Sequence, residues 1–217
     1  MAARYSFDAE LAELSASLLR MSSLATAAIG NAITAFEGHD ATLAKTVIEG
    51  DAELNELERD IEHRCMLLLL RQQPVARDLR IISTAMKMVT DIERIGDAAA
   101  DIAEISRHIK RDIPSILPAI RAMAEEAKKM VDDAVGAFTV ADLAAARAII
   151  LRDDIVDDAF RAIRDQLVGV LREDSSMADT AIDYLMVIKY LERLGDHAVN
   201  VCEWVEYYKT GIHPTGN

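Results

Sequence analysis

The sequence predicts an all-α protein: two tandem three-helix bundles, six helices in all, related by an internal duplication. Three observations carry this. Apolar residues recur at three- and four-residue intervals over long stretches, with no strand-like alternation. Only nine Gly and four Pro punctuate 217 residues, so turns are few and elements long. The chain also matches itself. A shift of 102 residues sets Ala35 and Phe36 on Ala137 and Phe138, Asp40 on Asp142, Ile48 on Ile150, Asp51 on Asp153, Asn55 on Asp157 and Arg59 on Arg161. A shift of 99 sets the run Glu93, Arg94, Ile95, Gly96, Asp97 on Glu192, Arg193, Leu194, Gly195, Asp196. The same shift sets Asp101 on Asn200 and Glu104 on Glu203.

The six helices are expected over residues 8–36, 40–73, 75–110, 115–138, 142–172 and 176–209. Asp40 and Asp142 stand where an acidic side chain helps a helix start, and Ser176 is read as an N-cap. Pro74 ends the second helix between Gln73 and Val75, because proline lacks an N–H and clashes with the preceding turn. Pro114 and Pro118 mark the central break. The difference between the two shifts falls in the loop after Pro74. Long helices with short connections favour antiparallel neighbours, so each repeat is an up-down-up bundle. The first repeat takes residues 1–112 and the second 113–217.

Composition bounds the function. Apolar residues make up 51% of the chain and aromatics 5%, so aliphatic side chains fill the core. The formal net charge is −13, and no Lys/Arg cluster supplies the basic footprint of a nucleic-acid binder. The longest purely apolar run, 65–70, lies between Arg64 and Arg71 and is far too short to insert into a bilayer. Two cysteines, Cys65 and Cys202, lie in apolar helical stretches and read as small core residues. With no signal pattern and no cysteine framework, the expected location is the cytoplasm.

The carboxylates break the apolar pattern. In the second helix the buried stripe runs Val47, Asp51, Leu54, Glu58 or Leu57, Ile61, Cys65, Leu68. Asp51 takes a slot meant for a hydrophobe, with Asn55 one turn on. In the fifth helix Asp153 interrupts the stripe at the equivalent place, with Asp157 one turn on. In the third and sixth helices Glu93 with Asp97, and Glu192 with Asp196, stand four apart on one face. Gly96 and Gly195 lie between them, which implies close backbone approach or room for something bound. Two carboxylates 4 Å apart repel by about 4 kcal/mol at an effective dielectric near 20. Protonation, a basic partner or a cation must offset this. Oxygen-only donor sets suit Mg, Ca, Mn and Fe, so the residues support a metal site in each repeat, mononuclear or a multinuclear cluster. Further oxygen donors one turn on are Asp101 and Asn200. The alternative is structural. Arg94 lies three before Asp97 and Arg193 three before Asp196, so surface ion pairs could neutralise the acids.

The two Glu-Arg-Ile/Leu-Gly-Asp runs resemble the signature of the PhoU family. So do the run 47–51, the Gln73 and Pro74 break followed by Asp78, Leu79 and Arg80, the run 173–175, Asn200, and Cys202 with Glu203. The resemblance runs in order from about residue 11 to 211. It implies two three-helix bundles with metal clusters, iron or zinc in some members, on Glu/Asp-x-x-x-Asp motifs. Carried over, these are Glu93 with Asp97 and Glu192 with Asp196, facing Asp51 with Asn55 and Asp153 with Asp157. Asn55 departs from the all-acidic pattern and lowers the charge of the first site. The resemblance further implies negative regulation of phosphate-starvation signalling. The expected role is an adaptor between the ATPase subunit of the phosphate ABC transporter and the sensor histidine kinase, cytoplasmic and homodimeric.

Two rival readings share these residues. One is a metal-dependent oxidase or hydrolase, the other a structural bundle whose acids bind nothing. The chain has no Gly-rich phosphate loop and no nucleophile elbow, so nothing in it argues for an enzyme. His197 follows Asp196 directly, and neighbours on a helix point about 100° apart. It reads as a solvated or polar-core histidine.

Overall fold

The computed structural model describes residues 2–72, 74 and 76–212. Gln73 and Val75, expected to flank the second break, lie outside the described residues. The helices are α1 (Ala2–Gly38), α2 (Ala41–Gln72), α3 (Arg77–Ser106), α4 (Leu117–Val140), α5 (Leu143–Ile150), α6 (Asp153–Glu173) and α7 (Ala178–Thr210). A 3₁₀ turn, Ser175–Met177, precedes α7. Helices α1 to α3 form one bundle, and α4 to α7 the other, in which α5 and α6 together take the place of α2.

The duplication extends to the turns. His39 and Ala141, related by the shift of 102, both take a left-handed conformation, at φ 50° and 54°. Each terminates the first helix of its repeat. The next residue then turns back identically: the Asp40 N–H donates to the Ala35 carbonyl (3.1 Å) and the Asp142 N–H to the Ala137 carbonyl (2.8 Å). Both aspartates cap the following helix as expected. Asp40 Oδ1 accepts from the Thr42 and Leu43 N–H groups, each at 3.0 Å, and Asp142 Oδ1 from that of Ala145 at 3.0 Å.

The expected fifth helix, 142–172, is broken. Leu151 and Arg152 form a turn in which the Arg152 N–H donates to the Ile149 carbonyl and the Ile155 N–H to the Arg152 carbonyl. Such three-residue bonds tighten the backbone and let a new helix start at Asp153. Tertiary charge accounts for the break. The Arg152 guanidinium reaches Glu126 (2.7 Å) and Asp133 (2.5 Å) on α4. Ser176 is not the N-cap of the last helix. It lies inside the 3₁₀ turn, where Asp174 Oδ1 accepts from its N–H at 2.9 Å. The third helix ends at Ser106, short of residue 110.

The two bundles meet along two antiparallel crossings. Thr26 donates to Asp132 (3.2 Å) and Arg121 Nε to Glu37 (3.1 Å) across α1 and α4. Arg80 Nε donates to the Tyr208 carbonyl (3.1 Å), and Asp91 meets His197 (2.9 Å) and Asn200 (3.1 Å), across α3 and α7. In both crossings equivalent residues run in opposite directions, which defines an approximate two-fold axis between the repeats. Phe36 packs against Tyr184 with the rings tilted and their centroids 4.8 Å apart, joining α1 to α7. The helix stripes read from the sequence face inward: Ile61, Cys65, Leu68, Ile92, Ile95, Val156, Ile163 and Leu167 are all buried.

Candidate metal centres

The first cluster forms where α2 packs on α3. Asp51 and Glu93 are partly buried on facing helices, with Asp97 and Glu58 beside them. Burial raises the Asp51 carboxyl above its usual range, and the charges of Asp97 and Asp101 raise it further, against a hydrogen bond from Asn55. Glu93 is raised by burial first and then by Asp97, Glu58 and Asp51, against Arg94. Glu58 is raised by burial, then by Glu62, and by Asp97 among others. The residues singled out from spacing therefore repel one another in space, as the broken stripes required. Glu58 is a member that sequence reasoning left undecided, because Leu57 fitted the stripe equally well.

The second cluster forms where α6 packs on α7. Asp153 is raised to about 6, by burial first and then by Asp196, Asp157, Glu192 and Asp154. Asp196, at the solvent edge, is raised by partial burial and by Glu192, against Lys189. Asp153 thus feels the other three expected carboxylates of this repeat.

The glycines serve close approach. A Cβ on Gly96 would lie 2.5 Å from Leu54 Cδ1, so α2 seats a leucine against the α3 backbone. A Cβ on Gly195 would lie 2.5 Å from Asp153 Oδ1, so the second repeat seats a carboxylate there instead.

The acids are partly neutralised by cations of the chain itself. Arg94 donates to Asp97 at 3.0 Å and Arg161 to Asp157 at 2.8 Å, and Lys189 pairs with Glu192. Asn55 donates to Asp51 Oδ2 at 2.7 Å. The expected pair between Arg193 and Asp196 does not form among the described residues: Arg193 turns toward α3, where it lines a cleft with Arg94 and Tyr190. With the side chains held this way, no three His, Cys, Asp or Glu among the described residues stand in metal-holding geometry. Two carboxylate oxygens of the first cluster nevertheless lack any hydrogen bond among the described residues: Asp51 Oδ1 and Glu93 Oε2 are buried and unsatisfied. Arg94 Nε lies 3.5 Å from the latter without making a hydrogen bond. A buried carboxylate oxygen with no donor costs about 1–3 kcal/mol or more, so the first cluster is electrostatically incomplete. A hard cation satisfies such atoms, and this donor chemistry fits one.

His197 is a polar-core histidine bonded to Asp91, not part of either cluster. Asn200 donates to the same Asp91 oxygen. Asp101 acts electrostatically on Asp51. Cys65 and Cys202 are fully buried, and burial pushes both thiols up to about 12. Among the described residues no helix is long and apolar enough to cross a membrane.

Fold and site together define a class: tandem helical bundles with a Glu-Arg-Ile/Leu-Gly-Asp run and an acidic cluster in each repeat. The sequence matches the PhoU domain twice, over residues 18–106 and 120–205. It is 37% identical over 207 residues to a phosphate-specific transport system accessory protein PhoU homolog of Clostridium acetobutylicum, covering 94% of each chain. It is 31% identical to the PhoU accessory protein of Escherichia coli, covering 94% of this chain and 86% of that one. The crystal structure of PhoU from Pseudomonas aeruginosa superposes with a TM-score of 0.90 at 33% identity, covering 95% of this chain and 100% of that one. The phosphate transport system regulatory protein PhoU from Streptococcus pneumoniae gives 0.89 at 28%, covering 97% and 100%. The chain belongs to the PhoU family.

Proposed function

We propose that this protein is a regulatory accessory of a phosphate transport system. In this reading it is a cytoplasmic homodimer that docks on the transporter's ATPase subunit and on a sensor histidine kinase and restrains phosphate-starvation signalling. The names of its relatives support the transport assignment. A net charge of −13 on a helical surface suits docking to a basic partner face.

Each carboxylate cluster, in the same reading, holds metal. Asp51, Glu93 and Asp97, with Asn55 through its side-chain carbonyl, serve the first site. Asp153, Asp157, Glu192 and Asp196 serve the second. The unsatisfied oxygens of Asp51 and Glu93 are the observation that carries this. A bound cation, iron or zinc by family resemblance, would supply positive charge that draws the facing helices together. The chain's own part is to release Arg94, Arg161 and Lys189 from the acids they now neutralise and to turn those carboxylates inward. Asn55 leaves the first site with less charge, so the second binds more tightly. Those same internal ion pairs favour a second reading, in which the acids are structural and bind nothing.

Co-purification with a purified transporter ATPase subunit and with the cytoplasmic part of the kinase tests the adaptor role. The expected result is a complex with each partner, weakened by added salt because the contact is charged. Failure to bind either removes the adaptor reading.

A further inference from the structure

The approximate two-fold axis passes through the middle of the α3 and α7 crossing, and the two sides differ. On one side Asp91 accepts from Asn200 (3.1 Å) and bonds His197 (2.9 Å), which fills the space. On the other, Tyr190 takes the place equivalent to Asp91 and lines a cleft together with Asp101, the equivalent of Asn200. There Ala98 stands where the axis would place a counterpart of His197. The cleft, of about 140 Å³, opens beside Ala98, with His197 on its wall.

The cleft has unspent hydrogen-bonding capacity. Arg94 is tied to Asp97 at 3.0 Å, and each offsets the other's charge. Arg193 makes no hydrogen bond or ion pair with any described residue, yet lines the cleft beside Tyr190. Asp101 also lines the cleft and has acceptor capacity to spare, since a carboxylate has about four acceptor positions. A guanidinium fork matches two oxygens of an oxyanion, and a carboxylate opposite it requires that the ligand bring an O–H. The volume lies below the roughly 300–1,000 Å³ of sites for larger organic ligands, so it suits one small ion.

We propose that this cleft binds a small tetrahedral oxyanion that retains a proton, of the hydrogenphosphate class, between Arg193 and Asp101. Sulfate has the same shape but no O–H at neutral pH, and would face Asp97 and Asp101 with nothing to donate. The proposal does not depend on metal in the carboxylate clusters.

Isothermal titration of the full chain, treated with chelator and dialysed at pH 7, tests it with inorganic phosphate and then sulfate as probes. The expected result is one phosphate per chain, with sulfate weaker by about tenfold or more. Arg193→Gln, at an exposed position, should weaken phosphate by at least about tenfold while helical content is unchanged. Asp101→Asn, which can donate as well as accept, should narrow the gap between phosphate and sulfate. No binding of phosphate, equal binding of sulfate by the unaltered chain, or an Arg193→Gln affinity equal to wild type would each overturn the proposal.

Discussion

Asp153 Oδ1 occupies the space that a Cβ on Gly195 would need, 2.5 Å from its ideal position. The glycine on α7 and the aspartate on α6 are thus fitted to each other, and the half-buried carboxylate lies against backbone. Gly195→Ala must displace Asp153, at a cost of about 1–3 kcal/mol for overpacking. The variant should melt lower and bind metal more weakly at the second site. Gly96→Ala meets the flexible end of Leu54 and should lower stability while sparing the Asp51 carboxylate. Melting curves with and without added metal separate the two effects.

Proton linkage gives a second prediction. Asp153 is held at about 6 against an unperturbed value of 3.8. The fold therefore keeps this proton where the unfolded chain has lost it. Its stabilising contribution is complete below pH 4 and is lost as pH rises through about 6. Asp153→Asn should match wild type at pH 4 and melt higher at pH 7, both in chelator. Equal melting temperatures at both pH values would show that Asp153 is not strained by its neighbours.

Asn55 distinguishes the two sites. It donates to Asp51 Oδ2 at 2.7 Å, where the second repeat has Asp157 paired with Arg161. Asn55→Asp replaces that hydrogen bond by an i, i+4 repulsion worth about 0.2–0.5 kcal/mol in the metal-free protein. The variant should be slightly less stable in chelator and should bind divalent cation more tightly at the first site. Competition against a coloured chelator reads the affinity.

Arg152 fixes the break between α5 and α6. Arg152→Ala removes its bonds to Glu126 and Asp133 and leaves two acids on α4 without their cation. The loss should be about 1–2 kcal/mol, below the fully buried case because these side chains retain solvent access. Chemical denaturation measures it directly.

The buried thiols give a plain check on the core. Cys65 and Cys202, raised to about 12, should resist thiol reagents at neutral pH in the folded chain and react on denaturation. Rapid labelling of either in native buffer would contradict the packing described.

The helices, the duplication and the acidic interruptions were legible in the sequence because each is periodic. Asp51 and Asp153 stood out by occupying apolar slots, and the structure places both among mutually repelling carboxylates. What depends on distant residues was not legible. The turn at Leu151 and Arg152 carries no Gly or Pro, and its cause is a salt bridge to another helix. Arg193 lies three before Asp196 yet faces α3, since helical spacing permits a pair without requiring it. The bond between Asp91 and His197 joins residues from different repeats and leaves no local trace.

Whether the acidic clusters hold metal, as proposed, is decided by elemental analysis of tag-free protein beside the Glu192→Ala/Asp196→Ala variant. The expected result is metal in whole-number ratio to wild-type chain, loss of the second site's share in the variant, and unchanged helical content by circular dichroism. The same metal content in both proteins, or none in wild type after incubation with iron, zinc and manganese, would contradict it.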